Sequence, residues 1–289
     1  DMRTTFRIKQ PYSEQFLSLV DNKKYVGDNK PHHFIDVMIS NQGSIGMLSG
    51  RGKDKDGLER KNPVICFLGD SVTAGHFESL LPIDLKEKME VFQGLATGDY
   101  SKANHIEVFD ERESYVEKFK NKLIDKYELT CPSVINAGIA GDMLPSMAER
   151  LGRDVIRYQP DLIVINGALN WSEEIGDARV YKQIFKEMIH KIKSETEADI
   201  VLLTPNGDLP NTTFSELGQP GIESTTYERV KVIRELAREE EVCLADNYLV
   251  WEDAKACGIP WSELLANGIN HPSVEAHEVY AKVLMQLLE

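Results

Sequence analysis

Five short apolar runs recur from Val64 onward, and they constrain the fold more than any other feature of the chain. They are VICFL from Val64, SVIN from Ser133, LIVIN from Leu162, DIVLLT from Asp199 and VCLAD from Val242. Their apolarity is continuous rather than alternating. That marks strands buried on both faces, the condition of a parallel sheet. Longer amphipathic segments separate them. ESYVEKFKNKLIDKY places Tyr115, Val116, Phe119, Leu123 and Tyr127 on one stripe. Helical patterns follow from Met143 to Arg157, in VYKQIFKEMIHKIK, in TTYERVKVIRELAREEE and in SVEAHEVYAKVLMQLL. Ser273 is the expected N-cap of the last, with Glu275 in its first turn, where the helix dipole favours a negative charge. The alternation predicts an α/β fold: an open parallel sheet with helices on both sides.

Residues 1–61 differ in texture. They carry His32-His33 and a glycine- and charge-rich stretch, GSIGMLSGRGKDKDGLERKN. They read as an N-terminal appendage on or near a main domain of residues 62–289, with HHFIDVMIS as a possible strand. The 289 residues, 42% hydrophobic, suffice for one large core. The formal net charge of -14 repels phosphate backbones and anionic lipid heads, which argues against nucleic acid and acidic membrane as partners. No apolar run approaches the ~20 residues of a membrane span. The first residues have no leader-like apolar centre, although a chain opening at Asp1 is compatible with a removed leader. Cys66, Cys131, Cys243 and Cys257 form no Cys-x-x-Cys pair. Cys66 and Cys243 lie within apolar runs, as buried free thiols do, which fits a reducing, cytoplasmic compartment. The connections at 76–111 and 206–222 are long enough to serve as lids or binding loops.

Chemistry in such sheets collects at the carboxyl ends of the strands. The first run breaks at Gly69-Asp70-Ser71, which exposes Ser71 at that edge, where a nucleophile could stand. A helix cap is the plainer reading. The sequence around it is neither a Gly-x-Ser-x-Gly elbow nor a phosphate-cradling loop. The second run ends in INAGIAGD. Gly141 is expected just before a helix, with Asp142 near its N-cap, so that its N–H faces an anionic oxygen; a turn glycine is the alternative. The third run ends in VINGALNWS, where the Asn170 amide could donate to an oxyanion, or simply close an Asx turn. In LLANGINHPSVEAHEVYA, His271 stands in a polar loop before the last helix, suited to proton transfer. His277 reads as core or helix packing, His190 likewise lies on a helix, and no histidine spacing suggests a metal.

Taken together, FLGDSVTAG, INAGIAGD, PDLIVINGALN and INHP resemble the four signature blocks of the SGNH (GDSL-type) hydrolase family over residues 62–289. The resemblance implies a three-layer α/β/α sandwich around a flavodoxin-like, five-stranded parallel sheet of order 2-1-3-4-5. It implies a serine esterase or acylhydrolase. Ser71 would attack the ester carbonyl and His271 would act as base. The N–H groups of Ser71 and Gly141, with the Asn170 amide, would form the oxyanion hole. No metal or cofactor is implied. The substrate would be a small acyl ester, first of all an acetyl group on a carbohydrate.

Two positions depart from that pattern. Where the family has Asp after the block-three Asn, this chain has Trp171, which could wall the pocket beside Asp70. Three residues before the histidine, where the family has its acid, stands Gly268. Between Trp261 and His271 only Glu263 is a carboxylate. An Asp in that role fixes the imidazole tautomer and stabilises its cation. Three readings stay open: a Ser71–His271 dyad oriented by a backbone carbonyl, Asn267 as a neutral acceptor for the imidazole, or an inactive relative that binds a ligand. An acyltransferase is a further alternative.

Overall fold

The run Val64–Gly69 (β1) lies at the heart of a parallel sheet and pairs on both sides. It runs beside Ser133–Gly138 (β4) on one flank and Leu162–Asn166 (β5) on the other. Asp199–Leu203 (β6) and Cys243–Ala245 (β7) complete the sheet, with order β4-β1-β5-β6-β7. Taken by chain order of the sheet strands this is 2-1-3-4-5, as the family resemblance implies. These features come from a computed structural model, which describes residues 12–41, 62–78, 107–128, 130–172, 174–209, 225–268 and 270–289. A short ribbon of His76–Glu78 (β2) and Glu107–Phe109 (β3) pairs antiparallel, apart from the main sheet. Most of each of the connections at 76–111 and 206–222, expected as lids or binding loops, lies outside the described residues.

The continuous apolarity of the runs is explained by two buried layers. Alternate strand residues face opposite ways. Phe67, Val164, Val201 and Leu203 point into one core, with the helices Tyr115–Lys126 (α4), Asn247–Ala256 (α8) and Val274–Gln286 (α9). Leu68, Ile163, Ile165 and Leu202 point into the other, with Leu144–Asp154 (α5), Ala178–Glu195 (α6) and Thr226–Glu239 (α7). Tyr115, Val116, Phe119, Leu123 and Tyr127 are all buried, as their stripe requires. Ser273 caps α9 by accepting from the Ala276 N–H. Cys66 and Cys243 are buried free thiols, whereas Cys131 and Cys257 are exposed. No helix among the described residues is long and apolar enough to cross a membrane.

The N-terminal region forms two helices, Tyr12–Asn22 (α1) and His32–Asn41 (α2). HHFIDVMIS is therefore helical, not a strand. Phe34 and Met38, four apart on one face, are fully buried, and that helical spacing overrides the β-branched composition. Phe16, Val20 and Tyr25 join the same core as Trp251 and Leu287. The link between the helices covers the β7 edge of the sheet: Val26 bridges Ala245 antiparallel, and Gly27 N–H donates to the Leu244 carbonyl at 3.0 Å. Pairing of that kind removes an edge open to other chains. The Phe34 N–H donates to Asp199, at the amino end of β6. The opposite, carboxyl end holds the site described next.

Candidate active site

β1 ends in Gly69 because nothing larger fits. A Cβ there would stand 2.0 Å from Thr73 Oγ1. Asp70 then caps a single helical turn, Ser71–Ala74 (α3), its Oδ1 accepting from the Val72 N–H at 3.0 Å. Ser71 is the first residue of that turn, so its own N–H has no helical partner. The turn is anchored from below. Thr73 Oγ1 and Tyr115 OH share a hydrogen bond of 2.8 Å. Asn136 Nδ2 donates to the Thr73 carbonyl, and its Oδ1 accepts from Gly138 N–H. Gly138 must also lack a side chain, since a Cβ would lie 2.3 Å from the Ala74 nitrogen.

His271 reaches Ser71 from the far end of the chain, with Ser71 Oγ and His271 Nε2 2.9 Å apart. Both residues are buried. The loop that carries His271 is tied on each side. Ala266 N–H donates to the His271 carbonyl at 2.8 Å, Leu265 and Pro272 form an antiparallel bridge, and Asn206 Nδ2 donates to the Asn270 carbonyl. Asn267 works within this loop. Its Oδ1 accepts the backbone N–H groups of Asn270 and His271, each at 2.9 Å. An amide oxygen has two lone pairs, and those two N–H groups occupy them. Asn267 thus acts on His271 through the backbone rather than through the ring. Gly268, at the position of the family's acid, has φ +70°, a left-handed turn that favours glycine.

The loops after β4 and β5 meet beside Ser71. Gly69 is in register with both Gly138 and Asn166, so the chain leaves all three strands at one level. Gly141 takes φ +73° and is exposed. Asn170 Nδ2 donates to the Asp142 carbonyl at 3.1 Å, which ties the Asn170 amide to the Asp142–Met143 peptide, just beyond Gly141. The following helix is capped by Met143 rather than Asp142, and it ends at Asp154, giving way to a 3-10 turn at Ile156–Tyr158. Asp142 stands one residue before that cap, its Oδ1 accepting the Met143 N–H at 3.0 Å and its Oδ2 accepting from Arg150. Trp171 turns toward the core. Its Nε1 donates to the Gly176 carbonyl, and its ring packs edge-on against Tyr181.

Two buried arginines hold these loops, and the sequence reading named neither. Arg150 on α5 donates to Asp142 at 2.7 Å, to Asp154 at 3.2 Å and to the Gly69 carbonyl at 3.0 Å. Arg229 on α7 donates to the Ala168 carbonyl at 2.6 Å and to the Leu169 carbonyl at 3.4 Å, just before Asn170. One clamps the Gly141 loop and the other the Asn170 loop. Their only sequence signal is a charged residue on the apolar stripe of a helix.

Asp70 and His277 are buried titratable groups under the site. Burial pushes the Asp70 carboxyl up to about 7, and the charge of Asp142 adds to this, against the Val72 N–H bond. Burial holds His277 well below the usual histidine range. It is therefore a neutral ring, and its Nδ1 accepts from the Tyr115 N–H. Its place as a core residue matches the sequence expectation. No cluster of three or more His, Cys, Asp or Glu able to hold a metal occurs among the described residues.

Solved structures share this architecture. A protein assigned as a GDSL-like lipase from Parabacteroides merdae superposes with a TM-score of 0.58 at 19% identity, covering 80% of this chain and 98% of its own. A lipase/acylhydrolase from Enterococcus faecalis gives 0.52 at 22% identity, over 78% and 95%. Axe2, an acetylxylan esterase from Geobacillus stearothermophilus, gives 0.52 at 19% identity, over 78% and 94%. At such identities the likeness is one of fold. Comparison with curated protein sequences yields no match. The family model of the GDSL-like lipases and acylhydrolases, by contrast, matches residues 67–279, well over half the chain and all of the site loops. The chain belongs to the GDSL-like lipase/acylhydrolase family, and it is a carboxylic ester hydrolase.

Proposed function

We propose that the chain removes a small acyl group, most simply acetyl, from a carbohydrate ester through an acyl-enzyme on Ser71. The observation that carries this reading is the 2.9 Å contact of Ser71 Oγ with His271 Nε2 at an edge where two anchored loops converge. Ser71 Oγ attacks the ester carbonyl while His271 Nε2 takes its proton. The developing oxyanion is met by the N–H groups of Ser71 and Gly141 and by the second hydrogen of the Asn170 amide, the first being spent on Asp142. Each such donor contributes about 3–4 kcal/mol to the transition state in comparable sites. His271 returns the proton to the leaving alcohol, then activates water against the acyl-enzyme. The imidazole keeps its place because its loop is fastened at Ala266, Asn267 and Asn206, in the absence of the family's acid. Acetyl on a sugar is favoured by the named activity of the acetylxylan esterase that shares the fold.

The test is hydrolysis of p-nitrophenyl acetate and p-nitrophenyl octanoate by the wild type and by Ser71→Ala. Turnover of the acetate that disappears in the variant, with a slower octanoate reaction, is the expected result. Folded protein that cleaves neither ester in a Ser71-dependent way would sink this reading and favour a ligand-binding role.

A further inference from the structure

The machinery described so far leaves the β2–β3 ribbon without a role. In that ribbon His76 and Phe109 form a cross-strand pair, their rings 5.0 Å apart and edge-on at 68°. The His76 ring lies in turn 6.3 Å from that of His271, again edge-on. Two ring contacts therefore lead from the surface to the imidazole that meets Ser71. The ribbon is fixed to the nucleophile's own turn, because Asp110 N–H donates to the Gly75 carbonyl at 3.0 Å. Phe109 is 56% exposed, the highest value among the exposed large apolar side chains of the described residues. An aromatic ring left open at such a place has a surface to offer a ligand.

The geometry of ester cleavage determines which part of a substrate meets that ring. The tetrahedral carbon carries four groups. One is Ser71 Oγ, and a second is the oxyanion, turned toward the Gly141 and Asn170 loops. The third is the leaving oxygen, which must come within reach of His271 Nε2 to receive its proton. The acyl chain takes the remaining direction. A side chain flanking His271 therefore borders the alcohol and not the acyl chain. A phenyl face complements another flat surface rich in C–H groups, whether a sugar ring or an aryl ring. The net charge of -14 adds a bias against anionic alcohols.

We propose that Phe109, backed by His76, is the leaving-group subsite and selects esters of ring-bearing alcohols. The proposal rests on the Ser71–His271 hydrolase reading and specifies which alcohols it prefers. In the step concerned, the bond from the acyl carbon to the alcohol oxygen breaks. The acyl group stays on Ser71, and the proton held by His271 goes to the departing oxygen. Deacylation by water follows after the alcohol has left, so Phe109 acts on acylation alone.

Benzyl acetate and ethyl acetate test this, since they yield the same acyl-enzyme and differ in the ring. Phe109→Ala is expected to lower kcat/KM for benzyl acetate at least tenfold more than for ethyl acetate, and Phe109→Tyr to restore most of the difference. A monoacetylated methyl xyloside forms the third arm. A loss there as large as with benzyl acetate supports a sugar-ring subsite, and a loss confined to benzyl acetate supports an aryl one. Equal losses on all three esters, or none on either ring ester, would overturn the proposal. In the Ser71→Ala background, Phe109→Ala is expected to weaken benzyl acetate binding at least fivefold. Unchanged binding there overturns the subsite whether or not the wild type turns over. Absence of Ser71-dependent hydrolysis of ethyl acetate bears on the hydrolase reading instead.

Discussion

Arg150 Nη2 donates to the carbonyl oxygen of Gly69 at 3.0 Å, joining residues 81 apart in the chain. The same guanidinium holds Asp142 and Asp154. The strand end that precedes Ser71 and the loop that carries Gly141 are thus fixed to one planar group. The rigid planar fork spans these three acceptors from fixed directions; a lysine ammonium also carries three donors, but they radiate from one nitrogen on a flexible stem and do not bridge the same separations.

Arg150→Lys is therefore expected to keep the charge and lose the geometry. The loop relaxes, and donors that act in the transition state move off their target. kcat should fall roughly 10–100-fold with KM little changed, the signature of an interaction made only in the transition state. Arg150→Ala should in addition destabilise the fold by about 3–5 kcal/mol, because Asp142 would stay buried without its partner. Steady-state kinetics and urea unfolding of both variants check this. An Arg150→Lys enzyme with wild-type kcat would sink the clamp as a positioning device.

The strands and the contact of Ser71 with His271 could be read from the chain because their signals are local. VICFL and LIVIN are apolar without interruption, and the four blocks keep fixed neighbours. The arginine clamps could not be read, since each is completed by a backbone carbonyl far along the chain, 81 residues from Arg150 and 61 from Arg229, and a carbonyl has no sequence identity. The helix α8 was absent from the reading for another reason. In NYLVWEDAKA, Asn247, Tyr248, Val250, Trp251 and Ala254 are all buried, so no clean polar face marks the helical period. In α2, isoleucines and a valine beside Phe34 and Met38 blurred the period in the same way. The sequence offers Asn267 as a neutral acceptor for the imidazole, whereas its Oδ1 meets the backbone N–H of His271; the left-handed turn at Gly268 between them is not determined by spacing alone.

Asn267 yields the second prediction. Its Oδ1 satisfies two backbone N–H groups, one of them on a buried residue, His271. Asn267→Ala leaves both without their acceptor, at a cost of about 1–3 kcal/mol for each buried group. The loop should loosen, and kcat/KM should fall roughly 10–100-fold. Asn267→Asp keeps an acceptor oxygen at the same place, and the Asn270 amide can turn to donate to the new carboxylate. It should retain activity within about threefold. Loss of activity in Asn267→Asp equal to that in Asn267→Ala would show that the amide nitrogen, not the oxygen, matters.

Asp70 gives the third. Its side chain is fully buried, with Oδ1 spent on the cap and Oδ2 without a hydrogen-bond partner among the described residues. Burial raises its pKa from the ordinary 3.8 to about 7 in the folded protein. Between those two values the folded state holds a proton that the unfolded chain has released, so stability falls as pH rises through that window and stays lower above it. Asp70→Asn keeps an acceptor for the Val72 N–H and removes the ionisation. The variant should therefore gain on the wild type as pH is raised from 5 to 8, by roughly 2–4 kcal/mol. Taking the difference between the two proteins at each pH cancels the titration of other groups. These include His277, whose depressed value has the opposite effect and removes stability as pH falls below 6.5. Urea unfolding of both proteins at pH 5, 6.5 and 8 measures it. A difference between wild type and Asp70→Asn that does not change with pH would mean that the buried carboxyl keeps one charge state across this range.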